Sequence, residues 1–219
     1  MRYQALASDY DGTLAQNGRV ELETIGALEA FRDSGGTTLL VTGRQIGELQ
    51  SVFDRIDLFD CIVGENGALL YWPESGETEL LAPPPSLPLV TLLRARGVEP
   101  LVQGQAILAS LTTQEAVIIE TLHEEGLDLT VILNKESLMV LPRGIDKASG
   151  LTAALARLGL AADTVAGIGD AENDLSFLRL CGYSAAVANA LPELKAETNL
   201  VTNGAFGQGV AELAALLAL

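Results

Sequence analysis

Positive charge is in short supply in this chain. Its 219 residues carry 13 lysines and arginines against 29 aspartates and glutamates, a formal net charge of −16. So acidic a surface repels DNA, RNA and anionic lipid, and excludes nucleic-acid and membrane-surface partners. Lysine is scarcest, present only as Lys135, Lys147 and Lys195. Cysteine occurs twice, as Cys61 and Cys181, in apolar surroundings and without C-x-x-C spacing. Two buried free thiols in a reducing compartment are expected. The one histidine, His123 in "TLHEEG", is expected near a helix C-terminus as a solvated residue and not as a catalyst. No apolar run approaches membrane-spanning length. No apolar signal-peptide core precedes the first acidic residues in "MRYQALASDYDG". A soluble cytoplasmic protein is expected, and the sequence does not say whether it is a monomer or a dimer.

What the chain does have is apolar residues, 48% of the total, enough for a globular core. They fall into short runs: "ALAS" (5–8), "TTLLVT" (37–42), "CIVG" (61–64), "TVAGIG" (164–169), "SAAVAN" (184–189) and "NLVT" (199–202). Their lack of alternation predicts strands covered on both faces. Helical patterns lie between them at 21–33, 46–56 and 147–158, and "GVAELAALLAL" closes the chain. In the first of these, Leu22, Ile25, Leu28 and Phe31 share a face, and Gly35-Gly36 supply a stop. Strands alternating with helices predict an α/β fold, a Rossmann-like parallel sheet. The prolines of "APPPSLP" (82–88) interrupt that pattern. After them a helix at 87–96, a strand near 105–111, a helix at 113–125 and a hairpin in "LTVILNKESLMVLP" (129–142) predict a small α+β unit. The expected organisation is a core of residues 1–82 and 144–219 with an insertion at 83–143.

Each apolar run of the core ends in unusual polar residues: Asp9-Tyr10-Asp11-Gly12-Thr13, Thr42-Gly43-Arg44, Glu65-Asn66-Gly67, and Asp170-Ala171-Glu172-Asn173-Asp174. Ligands of open parallel sheets bind outside the carboxyl ends of the strands, so these clusters are expected to converge on one edge. Four carboxylates there, Asp9, Asp11, Asp170 and Asp174, would repel one another unless they held a cation. An all-oxygen donor set suits Mg²⁺. Lys147 opens a helix, where its charge opposes the helix dipole, so its placement asks for a reason such as neutralising a carboxylate and a phosphate. With such a cation, Asp9 could attack phosphorus while Asp11 moves the proton. Thr42 and backbone N–H groups would hold the phosphoryl oxygens. Arg44 could bind substrate or pair with a carboxylate of the insertion. Glu65 and Asn66 could form a turn or face substrate.

Together "DYDGT" (9–13), "VTGR" (41–44), Lys147 and "GDAEND" (169–174) resemble, in order, the four motifs of the haloacid dehalogenase (HAD) superfamily. The position of the insertion and "GENGALLY" (64–71) resemble the Cof-like phosphatases, whose cap is of type IIB. "DYDGTL" and "TGR" are also similar to trehalose-phosphate phosphatases. The resemblance implies Asp9 as nucleophile and Mg²⁺ ligand. It implies Asp11 as general acid/base, giving its backbone carbonyl to the metal. Thr42 and Lys147 would bind the transferring phosphoryl group, Asp170 the metal, with Asp174 either a further ligand or a residue behind the ligands, and Asn173 the phosphate. Gly43, Arg44, Glu65 and Asn66 would line the substrate site. The inserted unit would be the cap that selects substrate, with Asn134 and Lys135 near its hairpin tip.

The implied function is a Mg²⁺-dependent phosphatase acting on a small phosphorylated metabolite, a sugar phosphate or a phosphoglycolate-like ester. Two alternatives stay open on the sequence: a phosphomutase, which also forms an aspartyl-phosphate, and a non-enzymatic receiver-type module that only accepts phosphate.

Overall fold

The computed structural model describes residues 3–134 and 136–218. The apolar runs become the centre of a mixed sheet. Strand β1 (Ala5–Ser8) lies between β2 (Thr37–Val41) and β10 (Val165–Gly169). The sheet continues through β3 (Cys61–Gly64) on one side and through β11 (Tyr183–Ala186) and β12 (Leu200–Val201) on the other. These six strands pair in parallel. Every residue of β1, β3 and β10 is buried, which is why these segments are continuously apolar. The sheet then extends by two antiparallel strands, β4 (Leu69–Trp72) and β5 (Glu77–Leu80), that the sequence pattern did not announce.

Helices α1 (Leu22–Asp33), α2 (Ile46–Val52), α5 (Lys147–Leu158), α6 (Leu175–Leu180), α7 (Pro192–Glu197) and α8 (Gly207–Leu217) flank this sheet. Two expectations need correction. Leu22 is 83% exposed, and the buried face of α1 is Thr24, Leu28 and Phe31. The helix expected over 46–56 stops at Val52, because Phe53 adopts an extended backbone and turns its ring into the core beside Tyr10 and Phe59. Cys61 is buried, Cys181 is partly buried, and both thiols are free.

The chain between β5 and α5 builds a second sheet, ordered β6 (Val102–Gln103), β7 (Leu108–Leu111), β9 (Ser137–Pro142) and β8 (Leu129–Asn134), all antiparallel. Helices α3 (Leu87–Ala95) and α4 (Glu115–Glu124) pack on it through Leu89, Leu93, Ile118 and Leu122. The hairpin expected at 129–142 is β8–β9; Lys135, at its turn, lies outside the described residues. A separate apolar cluster joins the two sheets. It sets Ala68 of the large sheet's side against Ala106, Ile107, Met139 and Leu141 of the small one. Among the described residues no helix is long and apolar enough to cross a membrane.

In the large sheet the chain order runs outward from β1 in one direction (β2, β3) and from β10 in the other (β11, β12). The crevice at the carboxyl ends of β1 and β10 therefore sits at the point where strand order reverses.

Candidate active site

Asp9 and Asp170 are the first residues past the ends of β1 and β10. The two strands run in register, Ser8 opposite Ile168, and the Asp9 N–H still donates to the Ile168 carbonyl at 3.1 Å. Both side chains leave the sheet at the same edge. The turn after β10 brings Asp174 back under that edge. One of its oxygens accepts from the N–H groups of Asp170 (2.8 Å) and Ala171 (3.0 Å), while the other accepts from Lys147 Nζ at 2.6 Å. Thr13 Oγ1 donates to Asp170 Oδ1 at 3.1 Å, so the loop after β1 fixes the carboxylate after β10.

Lys147 sits at the first position of α5. Asp146 caps that helix by accepting from the Ser149 N–H, while the Ser149 hydroxyl lies 2.9 Å from the Asp146 N–H. The cap offsets the poor placement of a cation at a helix N-terminus. The ammonium is 1% exposed and donates to Asp9 Oδ1 and Asp174 Oδ1, both at 2.6 Å. It also lies 5.9 Å from the Phe177 ring centre. Burial alone would push the Lys147 pKa down, but Asp174 and Asp9 hold it above its ordinary value. Asp9 shows the opposite balance. Burial first, then Asp174 and Asp170, push its carboxyl from 3.8 up to about 8 against the pull of Lys147.

These charges test whether a metal fits. Among the described residues Asp9, Asp170 and Asp174, all buried, offer oxygens lying within 4.8 Å of one another. Among the described residues Lys147 is paired with two of the three, Asp9 and Asp174. Burial is the first cause of the raised Asp9 pKa, and the neighbouring Asp174 and Asp170 carboxylates add to it. A hard divalent cation matches this all-oxygen donor set.

The other motif residues divide. Asp11 is 40% exposed at its side chain and accepts a forked pair of bonds from Arg44, Nε at 2.6 Å and Nη2 at 2.8 Å. Arg44 Nη1 holds Glu48 at 2.5 Å. Of the carboxylate partners open to Arg44, the structure shows two in the core, Asp11 and Glu48, where one in the insertion was expected. Its guanidinium stands 5.5 Å from the Tyr10 ring centre. Thr42 is buried just past β2, and its hydroxyl accepts from the Arg44 N–H at 3.1 Å. Asn173 Nδ2 donates to Asn66 Oδ1 at 3.2 Å, which leaves Asn66 Nδ2 and Asn173 Oδ1 buried without partners.

Glu65 lies in the short turn that follows β3. It is fully buried, and its carboxylate accepts from the backbone N–H groups of Gln105 (2.8 Å), Ala106 (2.8 Å) and Ile107 (3.2 Å) in the small sheet's loop. Its oxygens are turned to that loop and not to the crevice.

The crevice has a floor of Asp9, Asp11, Gly43, Arg44 and Glu48 and a roof from the small sheet, including Ala109, Asn134, Glu136, Ser137 and Met139. Glu48 and most of this roof were not foreseen. A side chain's inward direction depends on how two sheets face each other, which neither sheet's own pattern encodes.

The chain matches the family described as haloacid dehalogenase-like hydrolase over residues 6–82 and 105–213. It is 29% identical over 215 residues to a phosphoglycolate phosphatase of Methanothermobacter thermautotrophicus, covering 95% of this chain and 96% of that one. It is 27% identical to a phosphoglycolate phosphatase of Archaeoglobus fulgidus, covering 99% of this chain and 97% of that one. A haloacid dehalogenase-like hydrolase from Bacteroides thetaiotaomicron shares the fold with a TM-score of 0.81 at 22% identity, over 98% of this chain and 99% of that one. A sugar phosphatase of HAD subclass IIB superposes with a TM-score of 0.78 at 19% identity, over 97% and 98% of the two chains.

Proposed function

The chain belongs to the haloacid dehalogenase-like hydrolases, and from that membership we propose that it is a phosphatase of small phosphorylated metabolites, with Asp9 as nucleophile. One observation carries the reading. Lys147 and three buried carboxylates, drawn from positions 9 to 174, meet at the carboxyl edge of the sheet. Crowding buried like charges costs stability, and such clusters are found at functional sites.

Asp9, Asp170 and Asp174, with the Asp11 backbone carbonyl, would hold Mg²⁺, the cation that suits this sparse oxygen set. When bound, the ion neutralises phosphoryl charge and keeps the Asp9 carboxylate ionised. Lys147 fixes the rotation of that carboxylate through Oδ1 and adds a positive charge beside the phosphoryl oxygens. Asp9 attacks phosphorus, and the ester P–O bond breaks as an aspartyl-phosphate forms. Asp11 delivers a proton to the departing oxygen, then takes one from the water that cleaves the aspartyl-phosphate and releases inorganic phosphate. For this, Arg44 gives up one of its two bonds to Asp11 while Glu48 keeps the guanidinium in place. The Thr42 hydroxyl and the unpartnered Asn66 amide supply donors for the phosphoryl oxygens.

Residues 83–143 are the cap, and the ester's organic part lies between Arg44 on the floor and Asn134, Ser137 and Met139 on the roof. The relatives named phosphoglycolate phosphatases make 2-phosphoglycolate the first substrate to try. The test is phosphate release from 2-phosphoglycolate, sugar phosphates and p-nitrophenyl phosphate, with Mg²⁺ and with a chelator. Release by the wild type in Mg²⁺ and none by Asp9→Asn is the expected result. Undiminished turnover by Asp9→Asn would sink the reading.

A further inference from the structure

A fully buried glutamate with no cation among its described partners asks for a function. Glu65 stands at the end of β3, in the core, and its side chain is 0% exposed. Its carboxylate bonds to the cap loop between β6 and β7, where three successive N–H groups converge on its two oxygens. Such a run of amides is an anion-binding concavity, filled here by a carboxylate from the other sheet. Burying that charge is tolerable only because several donors meet it.

The backbone beneath Glu65 is shaped for this reach. Glu65 and Asn66 both have positive φ, 48° and 56°, costly for residues with side chains. Their N–H groups donate to the carbonyls of Arg44 and Thr42 at 3.1 and 2.9 Å. The same short turn therefore touches the cap through the Glu65 side chain and the phosphate floor through its backbone. On the cap side, a Cβ at Gly104 would lie 2.7 Å from the Glu65 carboxylate oxygens, so a side chain there would press on the carboxylate and shift it. The contact adjoins the apolar cluster of Ala68, Ala106 and Ile107 that seats one sheet on the other.

We propose that Glu65 is a positioning residue that fastens the cap over the crevice, so that substrate enters a standing gap whose roof height is set by this bond. The effect of Glu65 on catalysis is then indirect. It places β7 and β9, and with them Ala109 and Met139, above Gly43 and Asp9. The functional consequence rests on the phosphatase reading, whereas the fastening itself does not.

Two variants approach the contact from opposite sides: Glu65→Gln removes the charge, and Gly104→Ala crowds it from the cap. Amide hydrogen exchange is followed by NMR in the full chain. In either variant the amides of Gln105, Ala106 and Ile107 exchange at least about tenfold faster, while those of β1 and β10 keep their protection. In the kinetic arm, KM for p-nitrophenyl phosphate rises at least about threefold, because the roof has moved, while the constant for competitive inhibition by inorganic phosphate holds, because the floor has not. Unchanged exchange at residues 105–107 in both variants would overturn the proposal. Equal factors for KM and phosphate inhibition would also overturn it, since Glu65 would then be serving the floor. If the wild type hydrolyses no ester, the phosphatase reading falls and the exchange arm alone decides the fastening.

Discussion

Lys147 donates to Asp9 at 2.6 Å although the two lie 138 positions apart, and it holds Asp174 with the same ammonium. The lysine therefore bridges the first and the last acidic segment of the site. Replacing it by a neutral side chain of similar length, Lys147→Met, leaves Asp9 and Asp174 buried without that cation. The expected cost in chelator is about 3–5 kcal/mol of unfolding free energy. Mg²⁺ should return part of this. Turnover should fall by at least about a hundredfold. Urea denaturation with chelator and with Mg²⁺ measures the first two effects, and a Lys147→Met protein as stable as the wild type in chelator would remove the bridging role.

The raised Asp9 pKa gives a second expectation. In the metal-free fold its carboxyl keeps a proton up to about pH 8, whereas its ordinary value is 3.8. Folding thus takes up a proton between those values. The stability tied to this group is full below the ordinary value and is lost as pH rises toward the folded one. A metal ion competes with that proton for the same carboxylate, so the gain in stability from Mg²⁺ grows as pH rises through this window. Denaturation midpoints across the window, with and without Mg²⁺, check the sign. Asp9→Asn has no proton to take up, and its metal-free stability should lack this part of the downward slope. An identical slope in wild type and Asp9→Asn would refute the assignment.

How much of this was open to a reader of the sequence differs from element to element. "ALAS", "CIVG" and "VAGIG" declared themselves because a strand buried on both faces has to be apolar throughout. The acidic residues after them were legible because parallel strands put their carboxyl ends together. The strand Glu77–Leu80 was not legible: it is a mostly exposed edge with no hydrophobic pattern to show. The stop of α2 at Val52 was hidden too, because Phe53 leaves the helix to join Tyr10 in the core. Least legible was Glu65. Its partners are backbone N–H groups some forty positions away, and a backbone donor has no letter in the sequence.

Gly67 supports a third expectation. Its φ is +101°, and a Cβ there would overlap the Asp146 carbonyl. Asp146 caps α5, the helix that opens with Lys147. Gly67→Ala must therefore strain its own backbone and push the cap of the helix that carries the lysine. A loss of more than about 2 kcal/mol is expected, together with a drop in turnover larger than that of a surface substitution such as Gly76→Ala. Gly76 also has positive φ, but nothing lies within 4 Å of its Cβ position. Thermal unfolding and steady-state rates of the pair separate backbone strain, which both share, from the displaced cap, which only Gly67→Ala has.

Asp11 and Asp9 have different tasks in the proposed reaction, and a substrate that needs no proton on departure separates them. The p-nitrophenolate group leaves without protonation, so Asp11→Asn should still let Asp9 take the phosphoryl group. The second half-reaction needs a base to activate water, and there the variant has none. Rapid mixing with p-nitrophenyl phosphate should give a burst approaching one product per protein chain, followed by a steady rate about 10²–10⁴ times slower than the wild type. The trapped species should be phosphorylated at Asp9, and the double variant carrying Asp9→Asn should show no burst. A receiver-type phospho-acceptor would hold its phosphate in the wild type as well, so rapid wild-type turnover beside a long-lived Asp11→Asn intermediate tells hydrolase from receiver. Unaltered steady turnover in Asp11→Asn would show that Asp11, despite its place two residues beyond Asp9, is held by Arg44 for structure and not for proton transfer.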